Sequence, residues 1–334
     1  MTKLRLVAIC GSGIEAEFAR DPALVSRFGF LAIRHLDLTA VTVPVKKYGF
    51  FASKRDVLSG EISQLQTSME ALQDFGPLIG AQHGTDFVDE IEALGFLAGN
   101  HAELSELMQS AGDFRQFQID VTWKPAEALM AYGNHEAIQH ALKVSPDAPN
   151  GGRAIALTSA MDEIKANLKT SVGKLLATAT PHLIEQPTLE AEAVASFIVA
   201  IKPHQEPTLD RAVEAIDASA PDLYHISYRG PLPAVSFACL SVAKPDQKEL
   251  DKARKLLGLG KAFAAAEVEE AFKAFIKRNH PDVGGDAHLA ELGKKSRDLL
   301  VDVALFEVRS LGTRSEPSLL VVNGEGINSE AVAA

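Results

Sequence analysis

Three patterned segments follow one another in residues 74–123, which read DFGPLIGAQHGTDFVDEIEALGFLAGNHAELSELMQSAGDFRQFQIDVTW. The first, Pro77–Ala81, is a short apolar run, and it predicts a buried strand. In the second, residues 87–111, apolar side chains recur every three or four positions, which predicts one long helix. Thr85 or Asp86 is placed to cap the start of this helix, because both side chains can accept a hydrogen bond from a free backbone N–H group.

The third segment alternates apolar and polar residues, as a strand with one buried face does. Its apolar members are Phe117, Ile119, Val121 and Trp123. A strand, a covering helix and a second strand form one compact α/β unit. We therefore expect these four side chains to face the core of the N-terminal domain.

The segments before this stretch complete the predicted N-terminal domain. Leu4–Cys10 is an apolar strand for the centre of a sheet, Gly29–Val45 holds two further strands, and Val57–Leu72 has a helical period. This order predicts an α+β protein whose N-terminal domain, residues 1–128, is a ferredoxin-like α/β domain. The turn Gly11–Gly13 is either a plain turn or a phosphate-binding helix start, although it lacks the spacing of known phosphate-binding loops.

The whole-chain totals limit the classes of function. The 334 residues suit two domains and a small third, and 46% hydrophobic with 23% charged residues suits packed cores. The net charge of −11 argues against a nucleic-acid partner, because phosphate binding needs clustered Lys and Arg. No apolar run is long enough to span a membrane. Cys10 and Cys239 lie in apolar runs that suit buried thiols, and a reducing cytoplasm fits this usage.

A second α+β domain is predicted over residues 129–245. A long helix begins at Gly152 and Arg153, Ala193–Ile201 is an apolar strand, and a further strand runs into a proline-rich turn at residues 230–237. Two prolines separated by one residue restrict the backbone to an extended, rigid turn. This turn is either a plain corner between strands or part of a binding surface.

Three short motifs stand at the turns of these domains: Gly-Thr-x-Phe before a long helix, Gly-Arg at the start of another, and Gly-Pro-x-Pro leading to Ser-Phe. Their order resembles that of the gas vesicle accessory proteins of the F/L type. The resemblance implies that the protein binds the major gas vesicle shell protein and other gas vesicle proteins. It also implies that the protein assists vesicle assembly or joins the vesicle as a minor part. The matching residues are Gly84, Thr85, Phe87, Gly152, Arg153, Gly230, Pro231, Pro233, Ser236 and Phe237.

Residues 246–310 differ in character, being helical, basic in patches and interrupted by one loop. A helix must end near Asn279, because Pro281 disfavours the α conformation in the residue before it. The segment EVEEAFKAFIKRNHPD, residues 267–282, resembles the second helix and His-Pro-Asp loop of J-domain co-chaperones, which implies a small helical J-like module. The alternative is that His-Pro-Asp only ends a helix. The residues that the resemblance implies for contact with an Hsp70-type chaperone are His280, Pro281, Asp282, Lys273, Lys277 and Arg278.

The residues point to binding rather than catalysis. The sequence has no elbow serine, metal cluster, Cys/His arrangement or identifiable carboxylate pair, so no enzyme activity, cofactor or metal site is predicted. The favoured interpretation is a gas vesicle accessory protein in the cytoplasm or on the vesicle. The alternatives are a J-domain co-chaperone that stimulates an Hsp70-type ATPase and, more distantly, a nucleotide-binding enzyme using Gly11–Gly13. Residues 311–334 are predicted to be a largely flexible tail, in which the brief apolar run Ser318–Asn323 is either a strand or a docking segment.

Overall fold

Strand β1 (Leu4–Gly11) is the centre of the first sheet in the computed structural model. The structure describes residues 2–46, 54–146, 151–188, 190, 192–220, 222–310 and 317–324. β1 pairs antiparallel with β3 (Leu38–Pro44) on one side and β4 (Leu78–Ala81) on the other, and β2 (Leu31–His35) pairs with β3. The spatial order β4-β1-β3-β2 is the ferredoxin-like order that the sequence predicted. The helices between these strands are α1 (Ile14–Arg20), α2 (Pro22–Phe28) and α3 (Lys54–Gln73).

The predicted caps of the next helix lie elsewhere in the fold. Asp86–Phe87 forms a short strand, β5, that pairs with β1, and Asp89 caps the helix by accepting a hydrogen bond from the backbone N–H of Glu92 at 3.0 Å. Thr85 is held in the turn before β5, where its carbonyl accepts from the backbone N–H of Leu6 at 2.8 Å. Thr85 and Asp86, the two caps predicted from the sequence, are instead engaged with β1.

The single long helix predicted over residues 87–111 is two helices, α4 (Glu90–Gly99) and α5 (His101–Ala111). Asn100 separates them with a non-helical backbone. Its side-chain amide donates to the carbonyl of Ser318 at 2.9 Å, and its amide oxygen accepts from the backbone N–H of Leu320 at 3.1 Å. The helix breaks here because Asn100 binds a segment that is more than 200 residues further along the chain.

Two late strands extend the first sheet. β10 (Cys239–Ala243) pairs parallel with β4, and β11 (Leu319–Asn323) pairs antiparallel with β10. The brief strand predicted at Ser318–Asn323 is therefore present, although the rest of the tail that the sequence predicted, residues 311–316 and 325–334, lies outside the described residues. The chain accordingly divides into two compact units, of which the first combines Met1–Gly112 with Cys239–Asn323.

The second unit, built on Asp113–Ala238, has its own sheet around β6 (Arg115–Trp123). The order is β7-β8-β6-β9, with all pairs antiparallel, which is again the ferredoxin-like order. Its strands and helices in chain order are β6, α6 (Pro125–Ala131), α7 (Glu136–Leu142), α8 (Gly152–Leu176), β7 (Leu183–Glu185), β8 (Ala193–Ile201), α9 (Glu206–Ser219) and β9 (Tyr224–Pro233).

The position of β6 corrects the domain boundaries expected from the sequence. Phe117 and Trp123 belong to the core of the second unit, together with Phe197 and Leu209, and not to the N-terminal domain. The units divide at 112/113 and 238/239, whereas the sequence suggested limits near 128 and 245. The difference arises because β6 pairs with β8 and β9, while β10 returns to β4.

Three helices form the module predicted near the C-terminus: α10 (Gln247–Leu257), α11 (Ala265–Asn279) and α12 (Ala287–Arg309). Their shared core contains Val268, Phe275 and Leu300, and the ring of Phe275 packs directly against Gly293. The module is part of the first unit, and its helix α12 packs on α4, where Gly99 lies directly against the ring of Phe306. No helix among the described residues is long and apolar enough to cross a membrane.

Candidate protein-interaction sites

The Gly-Thr-x-Phe motif is part of the core of the first unit. Gly84 adopts a positive φ of 90°, which favours glycine, and Thr85 is almost fully buried. The Phe87 ring is inaccessible to solvent and lies 5.5 Å from the ring of Phe96. These contacts hold β5 on β1 and explain the motif as a structural turn.

A largely buried ionic network lies next to this motif. The guanidinium of Arg5 contacts Asp86 at 2.9 Å and Glu61 at 2.8 Å, and His83 contacts Glu61 at 2.7 Å. Burial disfavours the charged form of Glu61, but hydrogen bonds from His83 and Arg5 outweigh this and hold the pKa of Glu61 below its ordinary value. The network ties α3 to β1 through charged hydrogen bonds.

The proline-rich motif forms a tightly packed corner of the second unit. Gly230 has a φ of 153°, and a Cβ atom there would overlap the ring of Phe117. Pro233 and Phe237 are buried, and the backbone N–H of Ser236 donates to the side-chain oxygen of Gln116 at 3.1 Å. Packing within the second unit accounts for Gly230, Pro233 and Phe237, as in a plain corner between strands. Pro231 alone of the motif prolines lies exposed on the surface.

The Gly-Arg motif stands at the start of α8. Gly151, just before it, adopts the left-handed conformation with φ 68°, and Gly152 and Arg153 form the first turn. Both residues of the motif are half-buried. The motif therefore marks where the helix begins.

An apolar cavity of about 300 Å³ in the second unit was not predicted from the sequence. Trp123 lines it and is 2% exposed, yet its indole N–H has no hydrogen-bond acceptor among the described residues. Leu129 of α6 and Met161 of α8 line the cavity and stand on the two neighbouring helices. Leu129 is 37% exposed, so the cavity opens to solvent. The remaining lining residues are Pro125, Leu157, Thr158, Asp162 and Lys165.

Each of the same two helices also exposes a large apolar side chain outside the cavity. Met130 is 75% exposed and follows Leu129 on α6, and Ile155 is 61% exposed on α8. Both side chains stand on helices that line the cavity, and contiguous exposed apolar patches are typical of interaction sites. The sequence contained one signal of this site, the adjacent pair Leu129 and Met130. Two adjacent side chains point in different directions from a helix, so a helix of only seven residues does not bury both on one face.

The His-Pro-Asp loop is presented at the end of α11. The side chain of His280 is 48% exposed and that of Asp282 is 86% exposed. His280 accepts a hydrogen bond from the backbone N–H of Asp282 at 3.2 Å, which fixes the imidazole over its own loop. The other predicted contact residues, Pro281, Lys273, Lys277 and Arg278, are also exposed.

The two thiols and the Gly11–Gly13 turn have structural surroundings in the described residues. Burial raises the pKa of the Cys10 thiol to about 12 and that of Cys239 to about 11, so both are protonated near neutral pH. Ser12, within the Gly11–Gly13 turn, donates its backbone N–H to the carbonyl of Asp37 at 2.9 Å, as expected of a plain turn. Within the described ranges, no three His, Cys, Asp or Glu side chains are grouped to hold a metal ion.

Residues 29–239 match the sequence model of the family described as gas vesicle synthesis protein GvpL/GvpF. This match covers well over half of the chain. The chain belongs to the GvpL/GvpF family. No curated protein sequence matches it.

Two solved structures of gas vesicle protein GvpF are similar to this chain. The protein from Anabaena sp. PCC7120 is 18% identical, with 70% of this chain and 97% of that chain covered and a TM-score of 0.48. The protein from Microcystis aeruginosa is 17% identical, with 70% and 98% covered and a TM-score of 0.46. The GvpL/GvpF match contains the whole of the second unit's sheet, and it ends before α10–α12.

Proposed function

We propose that this chain is an accessory or minor structural protein of gas vesicles that binds the major shell protein and assists vesicle assembly. It would act in the cytoplasm and on the growing vesicle. The family match supports the vesicle role, and the apolar cavity of the second unit supports the binding role. The cavity is the observation that carries the proposal, because it lies inside the matched region.

The physical need is to cover apolar surface. A shell subunit with an apolar gas-facing side aggregates in water unless another surface shields it. A leucine- or isoleucine-sized side chain that enters the cavity would contribute about 1.5–3 kcal/mol. Met161 suits the lining of a cavity that accepts such a side chain, because its flexible thioether adapts to irregular shapes.

A matched pair of leucine variants tests the site. Leu129→Glu places a charge at the cavity mouth, and Leu58→Glu makes the same change on α3 of the first unit, where Leu58 is 47% exposed. The full chain is used, since α12 and β11 are part of the first unit. The assay is co-purification with the major shell protein, followed by light scattering of that protein with and without the chain.

We expect the wild type and Leu58→Glu to bind the shell protein and suppress its aggregation, and Leu129→Glu to do neither. Circular dichroism checks that both variants fold. Failure of the folded wild type to bind would refute the proposed function. Equal binding by both variants would refute only the role of the cavity.

A second proposal concerns the His-Pro-Asp loop, and its exposure supports it. In this reading the loop contacts an Hsp70-type chaperone and accelerates its ATP hydrolysis, while Lys273, Lys277 and Arg278 steer the association electrostatically. His280→Gln should remove the stimulation in single-turnover hydrolysis and change stability by less than about 0.5 kcal/mol. His288→Gln, at another exposed histidine, is the control. If the wild type does not stimulate ATP hydrolysis at low salt, the second proposal is refuted and the loop only ends a helix.

A further inference from the structure

β9 (Tyr224–Pro233) is the long edge of the second unit's sheet. It pairs with β6 on one side, and no strand of the described residues pairs with its other side. β7, at the opposite edge of the sheet, has only three residues, whereas β9 has ten. A long edge strand is a template for pairing with another chain, because its outer N–H and C=O groups have no partner in the sheet.

The hydrogen bonds of β6 show which residues of β9 turn their backbone groups outward. The backbone N–H of Trp123 donates at 2.9 Å to Glu192, the residue before β8, so the N–H of the preceding Thr122 points to β9. Thr122 lies opposite His225, and the N–H and C=O of His225 therefore face β6. Because successive residues of a strand alternate, the outward backbone groups belong to Tyr224, Ile226 and Tyr228.

The edge is unprotected over residues 223–229. This stretch contains no Lys or Pro, the residues that commonly block the pairing of edge strands. Its one Arg, Arg229, contacts a carboxylate of β6 at 3.2 Å, so this charge lies on the face of the sheet. Asp222, with a φ of 66°, bounds the stretch at one end, and the register shift after Arg229 bounds it at the other. The middle residue of the open stretch is Ile226.

The open stretch is complementary to itself when two copies run antiparallel about Ile226. Ile226 then opposes Ile226 of the second copy, and Tyr224 opposes Tyr228, so outward backbone groups meet outward backbone groups in every pair. Cross-strand pairs of aromatic and β-branched side chains stabilise a sheet. On the other face His225 opposes Ser227, so no like charges meet there.

We infer that β9 pairs antiparallel with β9 of a second copy of this chain, about a two-fold axis at Ile226. The two four-stranded sheets then form one continuous sheet. A two-fold axis uses the same surface on both copies, which a self-complementary strand allows. The neighbouring register, centred on Ser227, is less favourable, because Arg229 would oppose His225 and the outermost pairs would reach the register shift.

This contact is separate from the proposed shell-protein site, since none of residues 223–229 lines the apolar cavity. Pairing of one strand is a small interface, so we expect a dimer that forms as the protein concentration rises. Its mass should move from 35.7 kDa toward twice this value. Light scattering during size-exclusion chromatography of the full-length protein measures this change.

A single cysteine at the proposed axis tests the register. In the pair formed by Ile226 of the two copies, the Cα atoms would be about 5.5 Å apart, which is within the range of a disulfide. Arg229→Cys is the matched control, because its two copies would lie about 20 Å apart along the strands. The proteins are oxidised with oxidised glutathione and separated by electrophoresis without reductant. The wild type gives the background from Cys10 and Cys239.

We expect Ile226→Cys to form at least about tenfold more disulfide-linked dimer than Arg229→Cys. Ile226→Lys should keep the monomer mass, because two lysines would oppose each other at the axis. His225→Lys, on the same strand but opposite Ser227 of the second copy, should dimerise as the wild type does. Circular dichroism checks that each variant folds.

Monomer mass for the wild type at every concentration would overturn the inference, and so would equal cross-linking of the two cysteine variants. A dimer that Ile226→Lys leaves intact in a folded protein would place the contact on another surface. A monomer whose Ile226 amide becomes protected from hydrogen exchange only when the major shell protein is added would assign the edge to a strand of that partner instead.

Discussion

Phe117→Ala tests the assignment of β6 to the core of the second unit. The side chain is 4% exposed, its ring lies 5.4 Å from that of Tyr228, and Gly230 packs directly against it. Replacing a buried Phe by Ala loses the transfer free energy of the ring and leaves a cavity, which together cost about 3–5 kcal/mol. The ring pair adds at most about 1 kcal/mol to this, because Tyr228 is partly exposed.

The chain contains its own probe for this measurement. Trp123 is the single tryptophan and lies on the same strand, 2% exposed in the same core. Its fluorescence therefore reports the unfolding of the second unit during a urea titration. With a slope of about 2 kcal/mol per molar urea, a loss of about 4 kcal/mol lowers the midpoint by about 2 M.

Gln118→Ala is the matched control on the opposite face of the strand. Gln118 is only half-buried, and its amide donates to the carboxylate of Asp120 at 3.0 Å. Losing this hydrogen bond should cost less than about 1 kcal/mol, or about 0.5 M in the midpoint. Equal midpoint shifts for Phe117→Ala and Gln118→Ala would refute the assignment of the buried face of β6.

Four further substitutions probe the first unit. Gly99→Ala should destabilise by about 1–3 kcal/mol in urea titrations followed by circular dichroism, because its Cβ would overlap an aromatic ring of α12. Gly60→Ala, which has open space on α3, should instead stabilise by up to about 1 kcal/mol. If Gly60→Ala lowered stability more than Gly99→Ala, the close packing at Gly99 would be contradicted. Asn100→Ala should cost about 1–3 kcal/mol by leaving buried groups unpaired, and should speed amide hydrogen exchange at Leu320; unchanged exchange there would contradict the proposed anchoring of β11. Glu61→Gln should destabilise near neutral pH, and its difference from the wild type should shrink in acid. The stabilisation from the lowered pKa is complete above the ordinary carboxyl value of 4.5 and is lost as pH falls through the lower folded-state value, so a constant difference would argue against it.

The sequence by itself predicted the local structure well because local structure follows from the spacing of apolar residues. The strand at Leu4–Cys10, the helix over Val57–Leu72 and the helix end before Pro281 lie where the period and the proline placed them. The helical period of residues 57–72 also places Ile62 on the inner face of its helix, but Ile62 is 47% exposed. The three family motifs were also readable, and the family match bears out the resemblance drawn from them.

Tertiary structure alone decided which sheet each strand joins. The alternation of apolar and polar residues in β6 shows that one face is buried, but it does not determine which strands pair with β6. The partners are β8 and β9, and not β4. The break at Asn100 depends on hydrogen bonds to Ser318 and Leu320, which no local pattern around Asn100 encodes. The same limit hid the apolar cavity. It is lined by side chains from two helices, and the period of one helix does not report the shape of the other.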